Sequence, residues 1–327
     1  MQPFRYVRAA DAARAVGLVA ADPGAGFIAG GTDRLNLMKD RVEAPSLLVD
    51  VNAAGPRGVA AIEGGVLVGA AARMADVADD PQVRAAFPVL SQALLASASP
   101  QVRNMASVGG NLLQRTRCWY FRDASLPCNT RSPGSGCPAL AGENRIHAVL
   151  GGSDACIKVH PSDMAVALLA LDAVVLTEGP AGARRLALDD FYVLPGATPE
   201  RETVLEHGEL IVGVELKATR AAARSRYVKV RDRASFEFAL VSVAVALDVE
   251  GGVVRDARVA LGGVAPRPWR ARGAEDALRG RSLGADVIAA AGEAAVAGAA
   301  PREGNRFKVE LAKRAVARAL NEVGGLS

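Results

Sequence analysis

All four cysteines of this 327-residue chain fall within one short stretch, residues 118–156. They follow the spacing C-x9-C-x8-C-x18-C, and the residues between them are rich in glycine, proline and serine. This composition favours turns and loops over helices and strands. The stretch therefore has to be a loop excursion, and the regular elements of the fold have to come from the chain on either side of it.

The chain before this stretch predicts two units that mix helices and strands. Residues 1–55 contain an amphipathic helix at DAARAVGLVAADP and two buried strands at GFIAGG and SLLVDV. From residue 56 onward, AAIEGGVLVG predicts a strand hairpin and PQVRAAFPVLSQALLASAS predicts one helix. The cysteine-bearing stretch, taken as residues 115–159, is an insertion into this second unit.

Regular structure resumes after the insertion. HPSDMAVALLALDAVVLTEG predicts a helix capped by Ser162 or Asp163 that leads into a strand, and RLALDDFY and ELIVGVEL predict further strands. A third unit then predicts an antiparallel sheet with a Gly-Gly hairpin, followed by helices at 284–298 and 306–323. The fold class is α+β, and the units are residues 1–55, 56–218 and 219–327.

The composition argues against several classes of protein. The formal net charge is only +4, and no basic block is present, which argues against a nucleic-acid partner. Charges and glycines interrupt every apolar run before the ~18 residues that a membrane span needs. The first residues, MQPFRYVRAADAARAV, lack the apolar core of a secretory signal. We therefore expect no membrane span, no secretory signal on this chain, and a cytoplasmic location.

Two glycine clusters point to a ligand: FIAGGTDRLNLMK (27–39) and NMASVGGNLLQ (104–114). Each places paired glycines after an apolar run, so that backbone N–H groups can approach an anion closely. Thr32, Ser107 and Asn111 could add side-chain hydrogen bonds to phosphate oxygens. Tight turns are the simpler explanation of either cluster alone. Neither has the glycine spacing of a Rossmann nucleotide site or of a P-loop.

Taken together, AGGTD (29–33), ASVGGN (106–111) and PSD (161–163) resemble the FAD-binding subunit of the molybdenum hydroxylases. That family includes the FAD domain of xanthine dehydrogenase and the medium subunit of carbon monoxide dehydrogenase. The resemblance covers nearly the whole chain. It implies a two-subdomain FAD-binding fold of the vanillyl-alcohol oxidase type, followed by a C-terminal α+β domain with an antiparallel sheet.

The resemblance also implies which residues hold FAD. One loop would wrap the pyrophosphate with its backbone amides, and a second loop would contact phosphate as well. An acid would anchor the adenosine part, an aliphatic side chain would lie against the isoalloxazine ring, and a lysine would lie near the pyrimidine edge of the flavin. The pyrophosphate loop consists of Phe27, Ile28, Ala29, Gly30, Gly31, Thr32, Asp33 and Arg34, and the second loop contributes Ser107, Gly109, Gly110 and Asn111. The acid is Asp163, the aliphatic side chain is Leu210 or Ile211, and the lysine is Lys229.

The cysteines by themselves allow three interpretations. Disulfides need an oxidising compartment, and structural zinc sites usually use C-x2-4-C pairs, which are absent here, although His147 and His160 could join such a site. An iron–sulfur cluster needs four thiolates, and a loop rich in glycine and proline could fold around it. The insertion between GGN and PSD resembles the [4Fe–4S] loop of 4-hydroxybenzoyl-CoA reductase and of bacterial aldehyde oxidoreductases with separate FAD subunits. That resemblance implies a [4Fe–4S] cluster on Cys118, Cys128, Cys137 and Cys156.

No hydrolytic site is evident, so we expect any chemistry to belong to the cofactors and no catalytic residue to lie on this chain. By resemblance, a large partner subunit holds a molybdenum–pterin centre and a small partner carries two [2Fe–2S] clusters. The three would form a heterotrimer, which could itself dimerise. Electrons would pass from the [2Fe–2S] clusters to FAD and on to an external acceptor.

The substrate and some alternatives stay open at this point. The sequences HPSDMAVALLALDA and YVKVRDRASFEFALVSV look most like the aldehyde oxidoreductase branch. Alternatives are a 4-hydroxybenzoyl-CoA reductase-like or other aromatic hydroxylase complex, a stand-alone flavin oxidoreductase, and a metal-binding scaffold that has lost its flavin. A partner with a twin-arginine signal could also carry the folded complex to the periplasm.

Overall fold

The computed structural model describes residues 1–325, and its first unit is a small parallel sheet with strand order β1-β3-β2. The first helix begins after Asp11, whose side chain accepts the backbone N–H of Arg14 at 2.7 Å, and it buries Ala15, Val16 and Val19. The predicted helix and the two predicted strands are present, whereas the strand Arg5–Arg8 and the helix Arg34–Lys39 were not predicted. The elements are β1 (Arg5–Arg8), α1 (Ala12–Ala20), β2 (Ala25–Ile28), α2 (Arg34–Lys39) and β3 (Leu47–Asp50).

The second unit is an antiparallel five-stranded sheet with strand order β4-β5-β8-β6-β7. Most of its helices lie between β5 and β6 in the chain, and a short 3-10 turn, Pro138–Leu140, lies in the cysteine stretch. The elements are β4 (Val59–Ile62), β5 (Gly65–Gly69), α3 (Met74–Asp79), α4 (Pro81–Ala86), α5 (Pro88–Ala96), α6 (Pro100–Arg103), α7 (Val108–Leu112), α8 (Trp119–Arg122), α9 (Asp163–Ala170), β6 (Val174–Gly179), β7 (Gly182–Ala187), α10 (Leu188–Phe191) and β8 (Leu210–Lys217).

Two predictions in this unit were wrong in detail. PQVRAAFPVLSQALLASAS forms two helices, α4 and α5, because Pro88 has no backbone N–H to continue the first and instead begins the second. The segment RLALDDFY is a strand only as far as Ala187 and then becomes the helical turn α10.

The third unit is an antiparallel sheet with strand order β12-β11-β10-β9. Its central hairpin turns at Gly251 and Gly252, which both have positive φ, as the Gly-Gly prediction requires. The elements are α11 (Arg220–Ala223), β9 (Ser225–Val230), β10 (Val241–Glu250), β11 (Val253–Gly262), β12 (Trp269–Arg270), α12 (Arg272–Leu278), α13 (Ala285–Ala295), the 3-10 turn Glu303–Asn305, and α14 (Phe307–Gly324).

Helix α9 connects the cores of the second and third units. All of its residues are buried, and it packs against α5 on one side and against β10 and β11 on the other. This position places its first residue, Asp163, where the two units meet. The predicted α+β class is confirmed, whereas the domain boundaries at residues 55 and 218 stay a prediction. Within residues 1–325, no helix combines the length and apolar character required to span a bilayer.

Candidate functional site

A large cavity of about 850 Å³ opens between the two glycine clusters and is called the large cavity below. Leu210 and Ile211, at the start of β8, are buried and give it an apolar wall. Every residue that the family resemblance assigned to FAD lines this cavity, with the exception of Lys229. The lining includes Phe27, Ile28, Ala29, Gly30, Gly31, Thr32, Asp33, Arg34, Ser107, Gly109, Gly110, Asn111, Asp163, Leu210 and Ile211.

The first glycine loop follows β2 and presents unused backbone donors. Among the described residues, no backbone acceptor takes the N–H groups of residues 30–34. Gly31 has a φ of +71°, which turns the chain so that successive N–H groups can point the same way. Gly30 permits close approach of the second loop, because a Cβ there would lie 1.9 Å from the carbonyl oxygen of Met105. The loop therefore has the form of an anion-binding site.

The second glycine loop shapes the large cavity but offers few free backbone N–H donors to a ligand. The hydroxyl of Ser107 accepts the Gly110 N–H at 3.2 Å at the start of α7, and the N–H of Gly109 donates to Ala70 O. The side chain of Asn111 accepts a hydrogen bond from Ser162 Oγ at 2.5 Å and also lies 3.2 Å from Met74 Sδ. These polar groups hold the loop itself, and the absence of side chains at the glycines leaves room for a ligand.

Asp163 and Lys229 lie together. The Asp163 carboxylate accepts hydrogen bonds from Tyr227 Oη at 2.6 Å, Lys229 Nζ at 2.8 Å and Ser97 Oγ at 3.0 Å. The resemblance assigned Asp163 to the adenosine and Lys229 to the pyrimidine edge of the flavin, which are opposite ends of an extended FAD. Lys229 Nζ therefore neutralises Asp163 and does not line the large cavity, and the contacts of both residues with FAD stay predictions.

Asp33 joins the first loop to the cysteine stretch. Its carboxylate accepts hydrogen bonds from the backbone N–H of Arg115 at 2.8 Å, from the Arg122 guanidinium at 2.8 Å and from the Arg117 guanidinium. Burial alone would raise the pKa of Asp33, but the two guanidinium groups outweigh burial and hold that pKa below its ordinary value. The last residue of AGGTD thus anchors the segment that leads directly to Cys118.

The four cysteines line a second, narrow cavity, called the cysteine cavity below. Cys118, Cys128 and Cys156 are buried, Cys137 is half-buried, and all four are free thiols. The structure thus brings the four cysteines to one cavity, and their role as a ligand set stays a prediction. Other lining residues include Phe121, Ala139, His147 and Lys158.

The cysteine geometry does not match a single metal ion. Among the described residues, no group of three or more His, Cys, Asp or Glu side chains is arranged to hold one. A zinc ion would need its sulfur ligands to converge at ~2.3 Å from one point. His160, considered above as an extra ligand, packs its ring against Tyr192 at 4.5 Å between ring centres and does not line the cysteine cavity.

The thiols differ in how easily they lose a proton. Burial raises the pKa of Cys118 to about 11. The hydrogen bond from Cys137 lowers the pKa of Cys156 to about 6 and raises that of Cys137. The nearby ammonium group of Lys158 also favours the Cys156 thiolate. The surroundings of Cys156 therefore favour its thiolate, whereas those of Cys118 and Cys137 disfavour theirs.

An ion-pair chain that the sequence analysis missed connects the two cavities. Arg115 lines the large cavity and pairs with Glu202 at 2.5 Å, and Glu202 also pairs with Lys158 at 2.7 Å in the cysteine cavity. The three arginines in QRTRCWYFR, directly at the start of the cysteine stretch, were the available signal for an acid-binding cluster. Glu202 carried no such signal because it lies far from them in the sequence.

Comparison with known proteins relates both halves of the chain to one family. Residues 2–216 match the FAD binding domain in molybdopterin dehydrogenase, and residues 226–323 match the CO dehydrogenase flavoprotein C-terminal domain. The chain is 50% identical over 324 residues to the aldehyde oxidoreductase FAD-binding subunit PaoB of Escherichia coli K12, covering 98% of each chain. It is 28% identical to the carbon monoxide dehydrogenase medium chain of Hydrogenophaga pseudoflava, covering 90% of this chain and 88% of that one.

Solved structures show the same fold. Carbon monoxide dehydrogenase from Hydrogenophaga pseudoflava, in a form that lacks the Mo-pyranopterin moiety, superposes with a TM-score of 0.78 at 28% identity, covering 100% of this chain and 99% of that chain. Quinoline 2-oxidoreductase from Pseudomonas putida 86 superposes with a TM-score of 0.77 at 27% identity, covering 99% and 98%. These matches confirm the predicted combination of an FAD-binding domain with a C-terminal α+β domain.

Proposed function

The chain belongs to the FAD-binding subunits of the molybdenum hydroxylases, a family of oxidoreductases, and we propose that it serves an aldehyde oxidoreductase complex. The observation that carries the assignment to this branch is the identity of 50% over 98% of an aldehyde oxidoreductase subunit, against 28% for a carbon monoxide dehydrogenase chain. A match over the full length of a subunit also favours a member of a complex over a stand-alone flavin enzyme or a scaffold that has lost its flavin.

The residues of the large cavity fit FAD. Unused N–H groups at residues 30–34 would bind the pyrophosphate, and Leu210 and Ile211 would lie against an aromatic ring. The Asp163 carboxylate would accept a hydrogen bond from the adenosine part while Lys229 balances its charge. FAD itself supplies the redox chemistry, because it can take up and release electrons singly or in pairs.

We further propose that the cysteine cavity holds a [4Fe–4S] cluster on Cys118, Cys128, Cys137 and Cys156. Support comes from the resemblance of the insertion to known [4Fe–4S] loops and from four free thiols that line one cavity. A cluster has four irons and so separates its ligand sulfurs more widely than one metal ion does.

In the proposed complex, a large partner carries the molybdenum–pterin centre and a small partner carries [2Fe–2S] clusters. The four cysteines of this chain are enough for one cluster only, so the [2Fe–2S] ligands have to lie elsewhere. This chain would receive electrons from the small partner and pass them to an external acceptor. The heterotrimer, its further dimerisation and its compartment, cytoplasm or periplasm through a partner's twin-arginine signal, are parts of the same proposal.

Absorption and metal analysis of the full chain, purified without oxygen, tests the cofactor content. We expect flavin bands with a broad iron–sulfur shoulder, and about four iron and four sulfide per FAD. Flavin bands without iron would remove the cluster from the proposal, and a colourless protein that does not take up FAD would remove the flavin as well.

The substrate class needs the assembled complex. We expect co-expression with a molybdopterin subunit and a [2Fe–2S] subunit from neighbouring genes to yield a heterotrimer that oxidises aldehydes with an artificial acceptor. A heterotrimer that reduces an aromatic CoA thioester and leaves aldehydes unchanged would instead assign the chain to the 4-hydroxybenzoyl-CoA reductase-like branch.

A further inference from the structure

His147 lies directly beside one of the cysteines. Its Nε2 atom is 3.1 Å from Cys118 Sγ, within the distance of a hydrogen bond to sulfur. The side chain is buried, and the rings of Trp119 and Tyr120 pack near it, with ring centres 6.4 and 6.2 Å away. The contact is thus shielded from water. In such a buried position a hydrogen bond has a larger electrostatic effect than at the surface.

The direction of this hydrogen bond follows from the chemistry of the sulfur. A thiolate that ligates a metal has no proton and can only accept. The proton of the neutral imidazole would therefore sit on Nε2 and point at Cys118. The other ring nitrogen, Nδ1, is buried and has no partner among the described residues, so nothing there competes for the proton.

The third unit of the fold holds His147 in place. The ammonium group of Lys308, on α14, donates to the carbonyl oxygens of Ile146 and His147 at 3.0 Å each and of Gly263 at 2.6 Å. Asn305 donates to the carbonyl oxygen of Ala148 at 3.2 Å. Lys308 is fully buried, and no carboxylate pairs with it among the described residues. Burying a lysine costs free energy, and these hydrogen bonds offset that cost while they fix this short segment of backbone.

We propose that His147 donates a hydrogen bond to the Cys118 sulfur and thereby raises the reduction potential of the cluster bound there. The inference rests on the [4Fe–4S] cluster of the proposed function. Reduction adds one negative charge to a cluster, and part of that charge lies on the cysteine sulfurs. An N–H group aimed at a sulfur stabilises the reduced form more than the oxidised form. His147 acts through Cys118 and is a positioning residue.

Two substitutions separate the hydrogen bond from the shape of the side chain. His147→Phe keeps a planar ring but has no donor, and His147→Gln keeps an N–H group on a flexible chain. His160→Gln is the matched control, since His160 has an enclosed ring nitrogen but lies outside the cysteine cavity. Iron and sulfide content, the electron paramagnetic resonance signal of the reduced cluster, and a redox titration are measured on the full chain.

We expect His147→Phe to keep its iron and to lower the ratio of reduced to oxidised cluster about tenfold at a fixed potential. For a one-electron couple this change corresponds to about 59 mV. The resonance signal should change with it. His147→Gln should recover most of the potential, and His160→Gln should match the wild type. Should His147→Phe lose its iron, the smaller His147→Leu replaces it in the same comparison.

Each outcome distinguishes the two proposals. A wild-type protein without iron and sulfide overturns the cluster and, with it, the role of His147. A wild-type cluster whose potential and resonance signal stay the same in His147→Phe or His147→Leu overturns the hydrogen bond and leaves the cluster standing. A shift that is equally large in the Gln and Phe variants also overturns it, because the side-chain shape would then matter and the donor would not.

Discussion

The large cavity and the cysteine cavity are neighbours, but they are built from different parts of the chain. The large cavity is shaped by the backbone of two glycine loops, each continuous in sequence, and by a few side chains that brace them. The cysteine cavity is shaped by side chains, and its supports, Glu202, Asn305 and Lys308, come from distant parts of the chain. The first should therefore tolerate the loss of a single cysteine, whereas the second should depend on much of the molecule.

The sharpest test of this difference is Gly30→Ala. The added Cβ would lie 1.9 Å from the carbonyl oxygen of Met105, so one of the two glycine loops has to move. We expect FAD content to fall to less than about a tenth while iron content stays near the wild-type value. Gly58→Ala is the control, because nothing lies within 4 Å of a Cβ there. Normal FAD content in Gly30→Ala would contradict the role given to this loop.

Removing a cysteine thiol should have the opposite effect, with iron lost and FAD retained. We expect Cys137→Ser to lose most of its iron, because the other three thiols leave one iron of a cluster without its protein ligand. FAD content should stay within about threefold of the wild type. Ser125→Ala, at an exposed position where the hydroxyl donates to Asp123, should alter neither cofactor. Iron retained in Cys137→Ser and lost in a variant elsewhere would contradict the assignment of the ligands.

Substitution of Asp33 should affect the cofactors of both cavities together. In Asp33→Asn, Arg117 and Arg122 lose the carboxylate between them, and we expect a loss of about 1.5–3 kcal/mol of unfolding free energy with weaker retention of both cofactors. Asp79→Asn, at an exposed position, is the control. Chemical denaturation and cofactor content measure both effects. Loss of one cofactor with full retention of the other would show that Asp33 does not couple the cavities.

The effect of Asp33→Asn on the free energy of unfolding should depend on pH. The folded-state pKa of Asp33 is lower than its ordinary value of 3.8, so its contribution to stability is complete above that value and is lost as the pH falls through the folded-state pKa. The stability difference between wild type and Asp33→Asn should therefore be constant near neutral pH and shrink below about pH 4. Denaturation curves at several pH values check this, and a difference that grows on acidification would contradict it.

Of these substitutions, Lys308→Met should have the smallest effect on cofactor content. We expect that effect to be confined to the cysteine cavity. Three carbonyl oxygens lose their donor, and we expect a cost of about 1–3 kcal/mol and a moderate fall in iron content, with FAD unchanged. Lys313→Met is the control, because Lys313 pairs with Glu293, whose side chain is exposed. Loss of FAD in Lys308→Met would mean that the third unit supports both cavities.

The contrast between the cavities also explains what the sequence could predict. AGGTD and ASVGGN could be placed at one site because each is a continuous motif that carries the family resemblance, and residues of both line the large cavity. Spacing placed all four cysteines in one loop, and the structure brings them to one cavity. The break at Pro88 could also have been predicted from the sequence, since a proline is a local signal against continuing a helix.

The remaining features depend on contacts that sequence order does not reveal. The pairing of Asp163 with Lys229 joins α9 to β9, and the contact of His147 with Cys118 depends on how the cysteine loop closes. The link through Glu202 joins a loop before β8 to both cavities. Single charged residues of this kind have no periodicity, so only the packed structure shows which of them meet.

The central claim is that two adjacent cavities of this chain hold two different cofactors, FAD and an iron–sulfur cluster. A crystal of the full chain grown without oxygen, with diffraction data collected at the iron absorption edge, tests it directly. We expect anomalous density for iron among Cys118, Cys128, Cys137 and Cys156, and FAD with its pyrophosphate against residues 30–34. Four unliganded cysteines beside a bound FAD, or FAD bound away from the glycine loops, would contradict it.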